Sequence, residues 1–345
     1  MSEITQTQVK SFYKNGFLVL KNIIPKDIVI QAKHNIDISL EEFNNQVKNY
    51  NNQNFNSFLY QKYINNNNPL FLDLFNKSDL KNIIEFMLGD LVSPIKKLQF
   101  AINFPEAPSS RTNESGYYDH ETPFYGWCGH LDGLWNGGTL PPKIGEIITN
   151  NELRQWNKEI STNGEKKRCI ELNCNIFNFT ALVGIPLSDQ IKNGDGNVGV
   201  LKGAHHKMEN FFKMQFKAGG PIGPDGPGWQ RENTSAPNGH GLKLYPDSVR
   251  ESFKRNAVRT SDGMLWPKPT LIQAKQGDAI IIHFTLPHSA TRVVGSDPRM
   301  MLYYRISPQS RPKKYLKAFP QGLYDIWNEW IGLKEIINSL EKTKY

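Results

Sequence analysis

The sequence predicts an α+β chain with a mostly helical flank over 1–95, a β core over 96–310 and a helical close over 311–345. Three observations carry this reading. Apolar residues in the first hundred positions recur at helical spacing. From Lys96 the texture changes to short β-prone runs punctuated by Gly, Pro, Asn and Asp, and from Tyr324 to Leu340 the pattern returns to an amphipathic helix. Short strands with frequent turn residues suggest a sandwich or small barrel, not a parallel βαβ sheet.

In chain order, Gln8 to Lys14 reads as a short amphipathic helix, Phe17 to Leu20 as a strand, and Pro25 to Phe43 as a longer helix with proline near its start. An Asn-rich run from Asn44 to Asn68 reads as a surface loop or frayed linker. Helices follow at Pro69 to Phe75 and at Asp79 to Leu88, the second stopped by Gly89. Strands are expected at Leu98 to Phe104, Ile176 to Leu187, Val198 to Leu201, Ala279 to Phe284, Thr291 to Val294 and Met300 to Ile306. Two long interruptions break the core, at 137–168 (with a helix-like Asn150 to Glu159) and at 207–269; loops of that length inside one domain usually serve as lids or lack order.

Length and composition exclude some classes. The 345 residues can bury a sizeable core as a single domain. No apolar run approaches the ~20 residues that cross a bilayer, so no membrane partner is expected. The polar start lacks a secretory signal pattern, and Thr343-Lys344-Tyr345 is not a peroxisomal address. Three cysteines, Cys128, Cys169 and Cys174, form an odd, sparse set that suits a reducing compartment, so a cytoplasmic home is expected. The net charge is +8, and residues 299–345 carry nine Lys or Arg against four Asp or Glu. These charges are scattered and not interleaved with stacking aromatics, which favours a solvated basic tail over a nucleic-acid partner; a small anionic substrate would also be drawn to such a field. The sequence is silent on oligomeric state.

The chemistry-bearing pattern is His130-Leu131-Asp132, weak by itself in a chain of eight histidines. On an extended segment, residues two apart share a face, so both side chains can reach one ion. A second, distant histidine would complete a two-His, one-carboxylate set that leaves positions open on Fe(II) for a chelating co-substrate and O2. The block from Gly277 to Arg299 supplies one: Gly277-Asp278 is a turn, Ala279 to Phe284 a buried strand, and His288 opens a hairpin whose turn spans Gly295 to Pro298 and whose return strand begins at Arg299. An arginine there can grip the far carboxylate of 2-oxoglutarate with a bidentate fork, and Arg305, on the same face, is the reserve choice.

With these residues in view, the chain resembles the phytanoyl-CoA dioxygenase family of Fe(II)/2-oxoglutarate oxygenases. The likeness runs through "SFYKNGFLVLKNII", "CGHLDGLW", "SDQIKNGDGNVGVLKGAHH" and "GDAIIIHFTLPHSATRVVGSDPRMMLYYRI". It implies a double-stranded β-helix core of the jelly-roll, cupin-like type. It also implies iron held by His130, Asp132 and His288, and 2-oxoglutarate anchored by Arg299. By the same likeness, Gln99 and Asn103, four apart on the preceding strand, are expected to offer polar contacts to the co-substrate. Related halogenating enzymes lack the carboxylate at the position of Asp132, so its presence favours hydroxylation of a small molecule with release of succinate and CO2. The chain departs from the family at Lys202-Gly203-Ala204-His205, in place of a Pro-Gly-Ser-His turn, and in the 158 residues between His130 and His288, which leaves the substrate open between acyl, lipid-like and other small molecules.

Other residues weigh less. His283 lies inside an apolar strand, where an internally satisfied imidazole is the commoner outcome. His205 reads as a turn residue bonded to backbone, and His120 and His206 as surface positions. Trp127 and Trp135 could line a channel or close the barrel. Cys128 reads as a packed residue, since a thiolate would suit zinc better. Two other functions stay in play: a catalytically inactive jelly roll that only binds a ligand, and a nucleic-acid oxygenase.

Overall fold

The computed structural model describes residues 4–47, 64–105, 127–133, 171–229, 245–259 and 265–342, apart from 66, 97, 128, 225 and 254–256. The middle of the Asn-rich run (48–63), the helix-like stretch at 150–159, His120, Cys128, Trp135 and Cys169 lie outside the described residues.

Helix α1 (Gln6–Asn15) starts on a capping box, with Thr5 and Gln8 exchanging side-chain and backbone bonds, and stops at Gly16. Strand β1 (Phe17–Leu20) leads to α2 (Lys26–Val47), which carries on through the first asparagines of the Asn-rich run. Asn68 caps α3 (Pro69–Asn76) by accepting from the Leu70 N–H, with Pro69 in the first turn. Helix α4 (Asp79–Leu88) ends at Gly89, whose φ of 65° needs no side chain, as the sequence predicts.

All the named strands pair antiparallel. The larger sheet has the order β1-β8-β3-β10-β2, where β2 is Leu98–Asn103, β3 Ala181–Pro186, β8 Ala279–His283 and β10 Arg299–Ile306. A three-stranded sheet, β7-β4-β9, joins Thr270–Ile272, Val198–Val200 and His288–Ala290. Between them in sequence, β5 (Ala257–Arg259) and β6 (Leu265–Pro267) form a separate ribbon.

Alternation assigns the two faces of the larger sheet. Met300, Leu302, Tyr304 and Ile306, with Ala181, Val183, Ile185, Ala279 and Ile281, face the helices and form one core with α1 to α4. Met301, Tyr303, Leu182, Ile280 and Ile282 face the other way and form a second core with Val198, Val200 and Ile272 of the small sheet. Strands β3 and β8 are buried throughout, which is why they read as unbroken apolar runs; each buried aliphatic side chain contributes about 1.5–3 kcal/mol. Odd-numbered residues of β10 are thereby committed to the space between the sheets, and this positions the site.

Four expectations are corrected. The strand expected at Thr291 to Val294 forms earlier, at His288–Ala290, since Val198–Val200 captures that stretch. His288 and Arg299 are not joined by a hairpin: β9 belongs to the small sheet and β10 to the large one. The interruption expected from residue 207 begins only after α5 (Ala204–Lys217), which buries Met208, Phe211, Phe212 and Gln215 on one helical face. A short α6 (Asp247–Glu251) follows within it. Finally, the single C-terminal helix expected from Tyr324 is broken into α7 (Gln321–Tyr324), a 3₁₀ turn at Ile331–Leu333 and α8 (Lys334–Lys342). Docking causes the break. Arg311 binds the Glu329 carboxylate in the interior, and Gly332 lies so close to α4 that a Cβ there would sit 1.7 Å from the Phe86 carbonyl oxygen. No helix among the described residues is long and apolar enough to cross a membrane.

Candidate metal centre

His130 and His288 meet across an antiparallel bridge. The His130 N–H donates to the His288 carbonyl at 2.9 Å and the reverse bond is 3.0 Å, so the His130 segment extends the small sheet beyond β9. This pairing brings together residues 158 positions apart and places the two imidazole centroids 4.9 Å from each other. Asp132 reaches the same point from one turn further on, with Oδ1 3.4 Å from His130 Nε2 and 4.0 Å from His288 Nε2. One donor atom from each residue lies within 4.8 Å of the others. Gly133 holds the turn: it adopts φ 75°, and a Cβ there would fall 1.8 Å from the Phe177 carbonyl oxygen.

The histidine tautomer is fixed locally. His288 Nδ1–H donates to the Leu286 carbonyl at 2.9 Å, which turns the Nε2 lone pair toward Asp132. Burial, and then the neighbouring His130, hold the His288 imidazole at a pKa of about 4, so it is neutral at physiological pH, the form that could ligate a metal. Burial alone would raise the Asp132 carboxyl, but the hydrogen bond from His130 and the charges of His288, Arg305 and His130 outweigh it, and the group lies well below the ordinary carboxylate range. Two imidazoles and one carboxylate, with no sulfur among the described residues of the cluster, are a donor set suited to ferrous iron.

The triad opens onto a cavity of about 210 Å³ whose wall includes Gln99, Asn103, Arg299 and Tyr303. Arg299 is 2% exposed. Its guanidinium donates to the Asn103 side-chain carbonyl at 3.1 Å and to the Tyr303 hydroxyl at 2.6 Å, and no carboxylate pairs with it among the described residues. A buried cation without a counter-charge is costly, and an anion entering the cavity would offset that cost. Gln99 and Asn103 face this cavity as their spacing predicts, each bound to an arginine: Asn103 to Arg299, and Gln99 to Arg305 at 2.7 Å. Arg305 also contacts Asp132 Oδ2 at 3.1 Å. Tyr303 was not singled out from sequence, although its place on the same face as Arg299 and Arg305 of a period-2 strand is the signal that would have found it.

Three further described histidines, His283, His205 and His206, make structural contacts. His283 Nε2–H donates to the Ile326 carbonyl at 2.9 Å, and its Nδ1 accepts from the Thr285 hydroxyl at 2.9 Å, inside a cage of Phe12, Trp327 and Trp330. His205 binds the Tyr13 carbonyl, as expected of a backbone-bonded residue, though on the first turn of α5; His206, expected at the surface, is half-buried and binds the same carbonyl. Trp127 is buried against β9, with Nε1–H donating to the Ser289 carbonyl at 3.3 Å, and packs in the second core. Cys174 is a buried free thiol, pushed by burial to a pKa of about 12.

His283 carries a prediction. Burial first, and the nearby His206 last, depress its pKa from 6.5 to about 4, while the bond to Ile326 opposes them. Between those values the unfolded chain binds a proton that the folded chain refuses, so stability falls as pH drops from 6.5 toward 4, by roughly 3 kcal/mol for this residue. Urea unfolding of wild type and His283→Asn at pH 7 and pH 4.5 measures this: the substituted protein is expected to be less stable at pH 7 but to lose less on acidification.

The sequence matches no family model and no curated relative. Solved structures similar to the chain include HygX from Streptomyces hygroscopicus with nickel and 2-oxoglutarate bound (14% identity, TM-score 0.42, covering 89% of this chain and 88% of that one). Others are SnoK, a non-heme alpha-ketoglutarate-dependent carbocyclase from nogalamycin biosynthesis (10% identity, TM-score 0.44, 88% and 84%), and EctD from S. alaskensis (12% identity, TM-score 0.45, 93% and 83%).

Proposed function

We propose that this chain is a non-haem Fe(II), 2-oxoglutarate-dependent oxygenase of phytanoyl-CoA dioxygenase type, built on a double-stranded β-helix, that hydroxylates a small molecule. One observation supports it above all. The same cavity holds a two-imidazole, one-carboxylate cluster and a buried guanidinium without an acidic partner among the described residues. A site for a metal and a site for an anion, side by side in one cavity, are what a chelating keto-diacid requires.

His130, Asp132 and His288 would hold the iron. When bound with 2-oxoglutarate and O2, it supplies oxidative decarboxylation to succinate and CO2 coupled to transfer of oxygen into a substrate C–H bond. The chain's own residues bind and orient. The Leu286 carbonyl keeps His288 in the ligating tautomer. Asn103 and Tyr303 aim the Arg299 fork at the cavity, where it neutralises the far carboxylate of the co-substrate. Leu182, Ile102 and Ala290 contribute apolar wall to the cavity. Low polarity there strengthens each of these charge interactions.

The test is an anaerobic titration of metal-stripped protein. One Fe(II) per chain is expected, with 2-oxoglutarate binding that depends on the metal, and succinate formation on admission of air. Failure to take up Fe(II), as for a barrel that only binds a ligand, would refute the proposal. With the iron-loaded protein in air, a panel of small acids, acyl thioesters and amino-acid derivatives, scored by stimulated 2-oxoglutarate turnover, identifies the substrate.

A further inference from the structure

We infer that Arg305 is a positioning residue that fixes which oxygen of Asp132 is offered to the metal; the inference rests on the triad being the metal centre. The Arg305 guanidinium donates to Asp132 Oδ2 at 3.1 Å and to Gln99 Oε1 at 2.7 Å, and its carbon lies 5.6 Å from the centroid of the Phe179 ring. Three anchors from separate parts of the chain, the β2 strand, the His130–Asp132 turn and the segment before β3, therefore hold one cation in place. With Oδ2 engaged, Oδ1 is the oxygen that faces both imidazoles, 3.4 and 4.0 Å away.

The consequence is single-oxygen ligation by Asp132. A carboxylate free to rotate could close on an ion with both oxygens and consume a position that a chelating co-substrate needs. Arg305 removes that option before the metal arrives. A cation so near the metal also repels it, but the Arg305 side chain is 41% exposed, so solvent screens the repulsion. Orientation therefore outweighs repulsion, and outer partners of this kind typically contribute about 10–100-fold in metal affinity.

The experiment is a titration of metal-stripped full-length protein with Co(II) alone, followed by its visible absorption spectrum, which reports coordination number and affinity together. Arg305→Met is expected to weaken Co(II) binding by about 10–100-fold and to change the spectrum. Arg305→Lys, which keeps the charge but lacks the planar guanidinium that lies over the Phe179 ring, is expected to recover only part of the affinity. Gln99→Leu, which leaves the ion pair intact, is expected to have the smallest effect and serves as the folded comparison if Arg305→Met does not fold. Unchanged or tighter Co(II) binding by Arg305→Met, or by Arg305→Lys where Met does not fold, with an unaltered spectrum, overturns the inference. Asp132→Ala measured alongside separates the two levels: if it too binds Co(II) like wild type, the triad itself is misassigned.

Discussion

Asp132→Ala protein is expected to form succinate from 2-oxoglutarate at least about a thousandfold more slowly than wild type, a loss of roughly 4 kcal/mol or more. Among the described residues Asp132 is the only anionic member of the cluster, so on the proposed assignment its removal deletes both a ligand and the charge that would offset the metal. Folding is not the cause of the loss, because the backbone at this turn is held by the His130–His288 bridge and by the Phe177 N–H bonded to the Gly133 carbonyl at 3.0 Å. A metal-dependent melt distinguishes the two. Added Co(II) raises the melting temperature of wild type, because a ligand that binds only the folded state stabilises it by mass action. The variant is expected to melt near the metal-free wild-type value and to show little shift. Turnover equal to wild type, or an undiminished Co(II) shift, would remove Asp132 from the site.

Arg299→Met is expected to separate binding from stability. Loss of a buried charged hydrogen-bonding partner typically costs about 2–5 kcal/mol, so affinity of the metal-loaded protein for 2-oxoglutarate should fall by roughly 30-fold to several thousandfold. Arg299→Lys should fail as well, because an ammonium cannot make the planar fork that Asn103 and Tyr303 hold in place. Metal-free stability should move the other way. Arg299 is 2% exposed, without a carboxylate partner among the described residues, and its Nε lacks a hydrogen-bond partner. An apolar side chain of similar length relieves that desolvation, so urea unfolding of Arg299→Met should give a stability at or above wild type. Calorimetry with 2-oxoglutarate, run anaerobically, is the decisive measurement; affinity within twofold of wild type would mean that the anion binds elsewhere.

Most of the site was legible because its signals are local. His130 and Asp132 stand two apart in sequence, although a turn after the His130 bridge, not an extended strand, brings them together, and Gln99 with Asn103 and Arg299 with Arg305 share a face on paired strands where Arg299 lies opposite Asn103. Helix limits were also local, set by Asn68-Pro69 at the start of α3 and Gly89 at the end of α4. The misread elements are those decided by partners remote in sequence. The helical stripe of Met208, Phe211, Phe212 and Gln215 was in plain view, but the glycines and prolines that follow drew the whole stretch into a loop. Tyr324 to Leu340 has a good helical period, yet the buried Arg311–Glu329 pair and the approach of Gly332 to Phe86 break it.

By itself, then, the sequence determined the helical flank, the antiparallel β character of the core, and the short set of side chains able to ligate a metal, because each depends on spacing within a few residues. Tertiary structure decided which sheet His288 joins, that Arg299 stands buried with no acid beside it among the described residues, and that Arg305 turns to the Asp132 carboxylate. Those outcomes depend on which distant strands hydrogen-bond and on what the resulting enclosure leaves without a partner. Charge compensation of that kind is a property of a closed volume, and no window of sequence contains it.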